Sequence, residues 1–411
     1  MRVALINQFY PPDVSPTAHL CASLAEHRAM KGDRVTVVTS WSAYLAPLTR
    51  EAASGDVKVK RAWSTRWGSR SRLRRFFDWA TFYFSAVVAT ARLARQDVII
   101  SLTTPPYIAL AAILHKLLHP RTRIILWNMD CYPEAIERTG MVKTGGLVSR
   151  IMRAMNRLIF RRIDDLICLD GAMESLLAQY KPRNHELATT IIPNWERATQ
   201  FSGEQPPPMQ WDAATAAALG DRFIVLYLGN AGYGHEFATM IEAAQMLKDE
   251  PVVFLFVGGG AVVKWIDQQR RARGLSNLLL HDYVAKNQTP SVMRDAGCAL
   301  ITLEEQVAGV MSPSKLHANL AMGLPILYVG PRDSNVDEAI RRFECGISLR
   351  PGQSRDAADF IRTLARDAQC RAKISRKARE AFEQAYCDAQ TLPQFDRVLE
   401  QVTLKLQNAD A

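Results

Sequence analysis

The residue best suited to chemistry is Lys315, which stands near the expected start of a helix. Apolar, strand-like runs lie before it at 299–302 and after it at 326–329. Ser312 suits the N-cap of that helix, and Pro313 suits its first position. Free backbone N–H groups at a helix start attract anions, and a lysine adds a full positive charge. The pattern predicts a phosphate-binding site at this junction, with a lysine on a solvated helix surface as the alternative.

Two glycine-rich loops precede this helix, and each directly follows an apolar run. The first follows 223–228 and the second follows 251–257; their candidate ligand contacts are Gly229, Asn230, Gly232, Tyr233, His235 and Gly258. A glycine has no Cβ, so a ligand can approach its backbone closely. Because the carboxyl ends of parallel strands meet at one edge of a sheet, the two loops and the helix start are expected to outline one nucleotide-binding crevice.

The elements that must position these residues alternate between strands and helical patterns along the whole chain. This alternation predicts parallel sheets joined by right-handed crossovers. A first sheet is expected from the runs at 3–7, 34–39, 98–102, 123–127, 166–169 and 190–193. A second sheet is expected between Phe223 and about Leu349, followed by a helical tail from Gln353. At 411 residues the chain exceeds one ordinary core, so two domains are expected.

Five short motifs occur in a recognisable order along the chain. They are residues 1–13, Asp130-Cys131-Tyr132-Pro133-Glu134, Ile192-Pro193-Asn194-Trp195, Gly229-Asn230-Ala231-Gly232 and Pro313-Ser314-Lys315-Leu316. In this order the chain resembles retaining glycosyltransferases of the GT-B fold. More narrowly, it is similar to the family 4 members that build bacterial surface polysaccharides. The resemblance implies an α/β fold with two doubly wound Rossmann-like domains facing a cleft and a C-terminal helix crossing back to the N-terminal domain.

The expected domain boundaries combine this resemblance with the polar, Pro-rich segment at 198–210. We predict an N-terminal, acceptor-side domain at 1–197 and a linker at 198–212. A C-terminal domain at 213–385 is predicted to bind the nucleotide-sugar donor. The last segment, 386–411, is predicted to be the returning helix.

The resemblance also implies a reaction. A sugar would pass from a UDP- or GDP-linked donor, with retention, to a lipid-linked saccharide acceptor in bacterial envelope or exopolysaccharide biosynthesis. Such an enzyme mainly stabilises a departing diphosphate, which helix starts, loop amides and a lysine do without a metal ion. No cofactor is expected. Asp130 and Lys315 are the predicted catalytic residues. Alternatively, Asp130 only stabilises its own loop.

Further contacts are predicted on both sides of the reaction. The predicted donor contacts beyond the glycine loops are Tyr283, Val284, Ser312, Ser314, Lys315 and His317. The predicted acceptor or cleft residues are Asp13, Ser15, Thr17 and Asn194.

The chain also departs from the family pattern. Many relatives carry two glutamates seven residues apart, at positions that are Val310 and Ala318 here. An Arg or Lys of the first glycine loop corresponds to Tyr233, and a His or Gln before the aspartate corresponds to Met129. Either other residues, namely His235, His317 and Asn319, take over sugar and ribose contacts, or the protein has little transferase activity. A buried structural histidine is the alternative for His317.

A cytoplasmic location is expected. The start of the chain lacks the pattern of a signal peptide, and no apolar run approaches the roughly 20 residues of a membrane-spanning helix. The seven cysteines are scattered without a C-x-x-C pair, so neither a disulfide framework nor a zinc site is indicated.

A basic and aromatic segment follows the second expected strand. Between Val57 and Arg75 it contains eight Lys or Arg residues and no acid. Cations beside Trp and Phe suit an anionic membrane surface. The predicted membrane contacts are Trp63, Arg66, Trp67, Arg70, Arg72, Arg74, Arg75, Phe76 and Phe77. A peripheral position on the inner face of the plasma membrane is therefore expected.

A second basic stretch carries Arg150, Arg153, Arg157 and Arg161 at helical spacing, and it is another candidate for the same surface. For either segment a solvated face is the alternative. Nucleic acid is not an expected partner, because no recognition motif accompanies the basic residues. Two other functions stay open: a GT-B-fold sugar-nucleotide epimerase, and a catalytically degenerate partner of another transferase.

Overall fold

The computed structural model describes residues 1–13, 15–41, 57–65, 67, 72–183, 187–201 and 206–410. They form two compact units. Unit 1 consists of Met1–Asn194, Gly309–Ser312 and Thr391–Ala411. Unit 2 consists of Trp195–Ala308 and Pro313–Gln390. No helix in the described ranges combines the length and apolar character needed to cross a bilayer.

Unit 1 is built on a seven-stranded parallel sheet. Its strands are β1 (Arg2–Ile6), β2 (Arg34–Ser40), β3 (Lys58–Ala62), β4 (Val98–Ser101), β5 (Arg123–Trp127), β6 (Asp165–Cys168) and β7 (Ala188–Ile191). Their order in the sheet is β3-β2-β1-β4-β5-β6-β7. The central strands β1 and β4 are apolar and almost wholly buried, as expected when helices cover both faces of a parallel sheet.

The helices of unit 1 are α1 (Pro16–Met30), α2 (Arg72–Ala91), α3 (Ala109–Leu118), α4 (Glu134–Arg138), α5 (Leu147–Phe160) and α6 (Gly171–Leu177). From β1 to β2 the chain steps towards one edge of the sheet, whereas from β3 through β7 it steps towards the other. Right-handed crossovers therefore place α1 on one face of the sheet and α2, α3 and α5 on the opposite face.

Unit 2 is built on a six-stranded parallel sheet of the same kind. Its strands are β8 (Phe223–Leu228), β9 (Val252–Val257), β10 (Leu278–His281), β11 (Cys298–Thr302), β12 (Ile326–Val329) and β13 (Gly346–Leu349), in the order β10-β9-β8-β11-β12-β13. Its helices are α7 (Ala213–Leu219), α8 (Ala238–Met246), α9 (Val263–Ala272), α10 (Thr289–Arg294), α11 (Lys315–Ala321), α12 (Asn335–Phe343), α13 (Ser354–Arg366) and α14 (Ala368–Ala381). The predicted pair of doubly wound α/β domains is confirmed.

One strand was not predicted, and the start of one helix was predicted wrongly. Strand β3 falls within the segment interpreted only as a basic surface; it is an edge strand, where charged residues are common because one side of the strand faces solvent. Helix α11 begins at Lys315, and Ser314 rather than Ser312 occupies its cap position. Ser312 instead belongs to unit 1, where the neighbouring Met311 forms an antiparallel bridge with Asp130.

The last helix, α15 (Asp388–Asp410), packs into unit 1 from Thr391 onwards. The ring of Phe395 meets that of Trp127 on β5, with their centroids 4.7 Å apart. The Asp396 carboxylate pairs with the guanidinium of Arg28 on α1 at 2.5 Å and with His27 at 3.0 Å. Both apolar and ionic contacts therefore hold this helix on the face of the sheet that carries α1.

Replacing Asp396 by alanine is expected to lower the free energy of unfolding by about 2 to 4 kcal/mol, because it leaves Arg28 buried with fewer partners. Burial acts to raise the pKa of Asp396, but the bonds from His27 and Arg28 outweigh it and lower that pKa. The contribution is thus present at neutral pH and lost as the pH falls through the range in which the carboxylate is protonated. Urea unfolding of the native protein and of the variant, at neutral and at acidic pH, measures this contribution. An equal difference in the free energy of unfolding at the two pH values would contradict this account.

Candidate active site

Lys315 at the start of α11 lies against the loop that follows β8. Its Nζ is 3.5 Å from the carbonyl oxygen of Asn230 and 4.8 Å from the centre of the Tyr227 ring. A Cβ placed on Gly229 would come within 3.1 Å of the lysine Cε. Glycine at 229 therefore leaves the space in which the lysine side chain lies. The structure brings the predicted lysine and the first glycine loop together.

The two glycine loops pack backbone against backbone. A Cβ on Gly258 would come within 2.2 Å of the Gly229 carbonyl oxygen, and one on Gly260 within 2.3 Å of the Ala231 carbonyl oxygen. Gly258 also has φ of 140°, which side-chain-bearing residues rarely adopt. The amide of Ala231 donates to the carbonyl of Gly259 at 2.6 Å. Glycine at these positions is thus required by the close approach of the two strand ends.

Burial lowers the pKa of Lys315 to about 8. No carboxylate in the described part of the chain forms an ion pair with it. A partly buried cation without an acidic partner is stabilised by any anion that reaches it, and a diphosphate carries the matching charge.

A pocket of about 130 Å³ lies between the ends of β8, β9 and β10. Gly229, Gly258, Gly259 and Asp282 are among its lining residues. The exposed ring of Tyr283 lies against Gly259, and its hydroxyl is 3.5 Å from the Asn230 side chain. The remaining predicted donor contacts near these loops, Gly232, Tyr233, Val284 and Ser314, are half-buried or exposed.

His235 stands at the end of the first glycine loop. Its Nδ1 donates to the carbonyl of Thr302 at 2.6 Å, which leaves Nε2 as the acceptor nitrogen. Burial, reinforced by the positive charge of Lys315, lowers the pKa of His235 to about 4. The imidazole is therefore neutral at pH 7.

His317 lies inside unit 2, with 1% of its surface exposed. Its Nδ1 is 3.2 Å from the Ser314 carbonyl oxygen, and its ring centre is 5.5 Å from that of Tyr386. Burial lowers the pKa of His317 to about 4. Asn319, on the same helix, is also buried.

Asp130 in unit 1 follows β5, at the carboxyl end of the sheet. Its backbone N–H and that of Met129 both donate to the Thr103 hydroxyl, at 3.2 and 3.0 Å. Burial raises the pKa of the Asp130 carboxyl to about 6. Asp130 also lines a small cavity with Tyr107 and Asn128. Asp130 is thus held by its backbone, while its side chain is an acid whose pKa lies close to neutral pH.

The other predicted residues of unit 1 have mainly local contacts. Ser15 caps α1 by accepting from the N–H of Ala18 at 3.1 Å, and its hydroxyl is 3.2 Å from that of Thr17. Asp13 is buried, and its carboxylate accepts from the N–H of Tyr10 at 3.4 Å. Asn194 is buried at the end of unit 1, and its Oδ1 has no hydrogen-bond partner among the described residues.

The predicted membrane segment is only partly described. Arg66 and Arg70 lie outside the described residues, and the side chains of Arg72, Arg75 and Phe76 are likewise not described. Trp63, Trp67, Arg74 and Phe77 are exposed. The guanidinium of Arg61 on β3 donates to the carbonyl oxygens of Ser40 and Pro11 at 3.1 and 2.6 Å.

Tyr227 was missed by the sequence analysis. It lies under Lys315, and its hydroxyl donates to the Asn230 carbonyl at 2.8 Å. A tyrosine within an apolar strand is interpreted as core, and nothing in the sequence distinguishes it. Within the described ranges, no group of three or more His, Cys, Asp or Glu side chains is placed to hold a metal ion.

Two family profiles match consecutive parts of the chain. Residues 17–195 match the Glycosyl transferase 4-like domain, and residues 212–381 match Glycosyl transferases group 1. Together they cover most of the 411 residues.

Individual relatives agree with these profiles. WbjE of Pseudomonas aeruginosa, named as a glycosyltransferase, is 26% identical over 76% of this chain and 76% of its own. WcaI of Escherichia coli K12, named as a glycosyl transferase of colanic acid biosynthesis, is 23% identical over 79% of this chain and 82% of its own.

A solved structure supports the same fold. The crystal structure of Anabaena HepE in complex with UDP covers 98% of this chain and 100% of that one, with a TM-score of 0.67 and 15% identity. The same protein in complex with UDP and glucose gives a TM-score of 0.66. From the two profiles, and with the fold shared with these structures, the chain belongs to the GT-B glycosyltransferases.

Proposed function

We propose that this glycosyltransferase moves a hexose from a UDP- or GDP-linked donor to a lipid-linked saccharide acceptor, with retention and without a metal ion. The reaction would take place on the inner face of the plasma membrane, to which the protein would bind peripherally. Unit 2 would hold the donor, and unit 1 would hold the acceptor.

The arrangement of Lys315 on the first glycine loop is the observation that carries this proposal. The lysine supplies one positive charge next to Gly229 and Asn230. The glycines of the two loops lack a Cβ, so a diphosphate can approach the loop backbone closely. As the bond from the anomeric carbon to the phosphate breaks, negative charge grows on the leaving diphosphate, and a fixed cation stabilises it most at that stage. A structural neighbour that binds UDP and glucose supports a nucleotide-sugar donor.

Asp130 would act in unit 1 on the acceptor or the transferred sugar. With a pKa of about 6 it is mostly ionised at pH 7. A carboxylate there accepts a hydrogen bond from a sugar hydroxyl and stabilises positive charge that develops on the sugar ring. The departing phosphate is expected to take the acceptor proton, so Asp130 need not act as a base.

The donor assignment is tested by thermal shift with UDP, GDP and their sugar conjugates. One nucleotide class should raise the Tm of the protein, whereas the other should raise it less. The absence of a Tm shift with any of them would contradict the proposal.

Val310 and Ala318, which stand where many relatives carry glutamates, favour a second candidate function, that of a catalytically inactive partner. A Tm shift without sugar transfer would support that candidate.

The Asp130→Asn variant is expected to lower the transfer rate by about 100-fold or more, the typical loss when one group that stabilises charge in the transition state is removed. In the native enzyme kcat/KM should fall as the pH drops below about 6, because protonation removes the charge. The variant should lack this acidic limb and should still bind UDP or GDP, since Asp130 belongs to the other unit. A pH–rate profile measures both; an unchanged acidic limb in the variant would exclude Asp130.

A further inference from the structure

The carboxyl end of β11 is joined to the end of the first glycine loop in unit 2. The backbone N–H of Glu304, just after β11, donates to the carbonyl oxygen of Gly234 at 2.9 Å. Thr302, the last residue of β11, accepts through its carbonyl oxygen from the Nδ1 of His235 at 2.6 Å. These two bonds fix Glu304 beside the residues that lead from the loop into α8.

Two carboxylates without a basic partner lie at this junction. Glu304 is half-buried, and its carboxylate forms no hydrogen bond or ion pair with any described residue. Glu236 is only 7% exposed. Its Oε1 accepts from the N–H of Thr239 on α8 at 2.9 Å, whereas its Oε2 is buried without a partner among the described residues. Burial raises the pKa of Glu304, and the nearby charges of Glu236 and Glu305 raise it further.

This arrangement is unfavourable unless a ligand completes it. A buried carboxylate oxygen without a hydrogen bond costs free energy, and two neighbouring negative charges add to that cost. An ionised carboxylate has only acceptor oxygens, so its partners must bring N–H or O–H groups. Capping of α8 accounts for the Oε1 of Glu236, but neither for its Oε2 nor for Glu304. The junction therefore suits a ligand that carries hydroxyl groups.

His235 connects this junction to the candidate phosphate site. The positive charge of Lys315 helps to lower the pKa of His235, so the lysine lies close to that ring. Glu236 follows His235 directly in the chain. Neither carboxylate forms an ion pair with Lys315. The cation and the two carboxylates are thus neighbouring but separate, and a molecule with phosphate at one end and hydroxyl groups at the other matches both.

We propose that Glu304 and Glu236 bind the hydroxyl groups of the transferred sugar, with Glu304 as the direct contact and Glu236 as the buried acceptor behind it. This rests on the proposed function, which places the diphosphate of a nucleotide sugar at Lys315. A hexose presents adjacent hydroxyl groups, and the two oxygens of one carboxylate can accept from both. Val310, at one of the positions where many relatives carry a glutamate, is wholly buried and offers no acceptor.

Titration calorimetry with the full-length protein tests this assignment. The probes are UDP and GDP and the conjugates UDP-glucose, UDP-galactose, GDP-mannose and GDP-fucose. The conjugate that gives the largest Tm shift in the native protein is used for the comparison. Glu304→Gln keeps the shape of the side chain and removes its charge. The variant should bind the conjugate about 10-fold more weakly and the free nucleotide with unchanged Kd, because only the sugar carries the contacted hydroxyl groups.

Fluorinated donors give a readout that a structural role of Glu304 would not change. In each analogue fluorine, which cannot donate a hydrogen bond, replaces one hydroxyl group of the sugar. At least one analogue should bind the native protein about 10-fold more weakly than the parent conjugate. Glu304→Gln should bind that analogue and the parent equally, because the contact is already lost. Glu305→Gln changes the exposed neighbouring carboxylate and should behave like the native protein.

The Glu236→Gln variant distinguishes a sugar contact from a helix cap. Glutamine retains an acceptor for the Thr239 N–H and removes the charge that acts on Glu304. The Tm of the free protein should therefore rise, while affinity for the conjugate should fall and affinity for the free nucleotide should not change. A lower Tm with unchanged affinity for the conjugate would show that Glu236 only caps α8, and would overturn its assignment.

Other results would overturn the whole inference. One is native-like affinity of Glu304→Gln for the conjugate, and another is an equal loss for the conjugate and the free nucleotide. Affinity for the conjugate that EDTA abolishes and Mg²⁺ restores would assign the two carboxylates to a metal ion instead. If the native protein binds neither nucleotide nor conjugate, the donor assignment fails and this inference fails with it. Nucleotide binding with unaltered sugar recognition in Glu304→Gln contradicts this inference alone.

Discussion

Replacing Lys315 by methionine is expected to weaken binding of the donor nucleotide about 10-fold to 100-fold. A charge-assisted contact of this kind contributes roughly 1.5 to 3 kcal/mol. Methionine keeps an unbranched apolar stem beside Gly229 and Tyr227, so the packing of the loop is retained while the charge is lost. The same change is expected to raise the Tm of the free protein, because burial disfavours the charged lysine. Titration calorimetry with UDP and GDP gives the affinity, and a thermal melt gives the stability.

The pH dependence of this binding provides an internal control. Because the pKa of Lys315 is lowered to about 8, its charge is complete at pH 6 and declines as the pH rises through 8. Affinity of the native protein should therefore fall between pH 7 and pH 9. Lys315→Arg should remain charged over that range and show no such fall. Lys373→Met, an exposed lysine on α14, should behave like the native protein. Unchanged affinity in Lys315→Met would remove this lysine from the donor site.

Gly258→Ala is expected to destabilise unit 2 by about 2 to 4 kcal/mol and to abolish donor binding. The new Cβ would meet the Gly229 carbonyl oxygen at 2.2 Å, and neither backbone segment can move without disturbing the junction of β8 and β9. The left-handed φ adds strain of about 1 to 2 kcal/mol.

Gly274→Ala is the matched control for this clash. Gly274 also has a positive φ, but no atom lies within 4 Å of its Cβ position. Its replacement should cost only the backbone strain, about 1 kcal/mol, and should leave donor binding intact. Urea unfolding and calorimetry on both variants make the comparison. Equal losses of stability and of donor affinity in the two variants would mean that the positive φ alone requires glycine at 258. The close approach of the two loops would then not be the reason.

The strands of both sheets were largely predictable because each central strand is a short apolar run. Runs such as 123–127 and 326–329 match β5 and β12, since strands buried on both faces consist mainly of apolar residues. Strand β3 was not predictable in this way. An edge strand has one solvated side, so its Lys and Arg residues hide the pattern.

The placement of site residues was predictable where it depends on strand ends, and not where it depends on side-chain contacts. The succession of strand, glycine loop and helix start was sufficient to place Lys315 near Gly229. The tyrosine beneath it, Tyr227, required the structure. The start of α11 was placed too early because Met311 and Ser312 belong to unit 1, a long-range contact that no local pattern encodes. The catalytic and ligand-binding roles of these residues stay predictions.

Transfer of labelled sugar tests the central claim most directly. The purified protein is incubated with membranes of a bacterium that makes surface polysaccharide and with the labelled form of the nucleotide sugar that gives the largest thermal shift. Label should enter the fraction that organic solvent extracts, and Lys315→Met and Asp130→Asn should each prevent it. The new glycosidic bond, examined by NMR, should have the anomeric configuration of the donor. Absence of label from the lipid fraction, or an inverted configuration, would contradict the account.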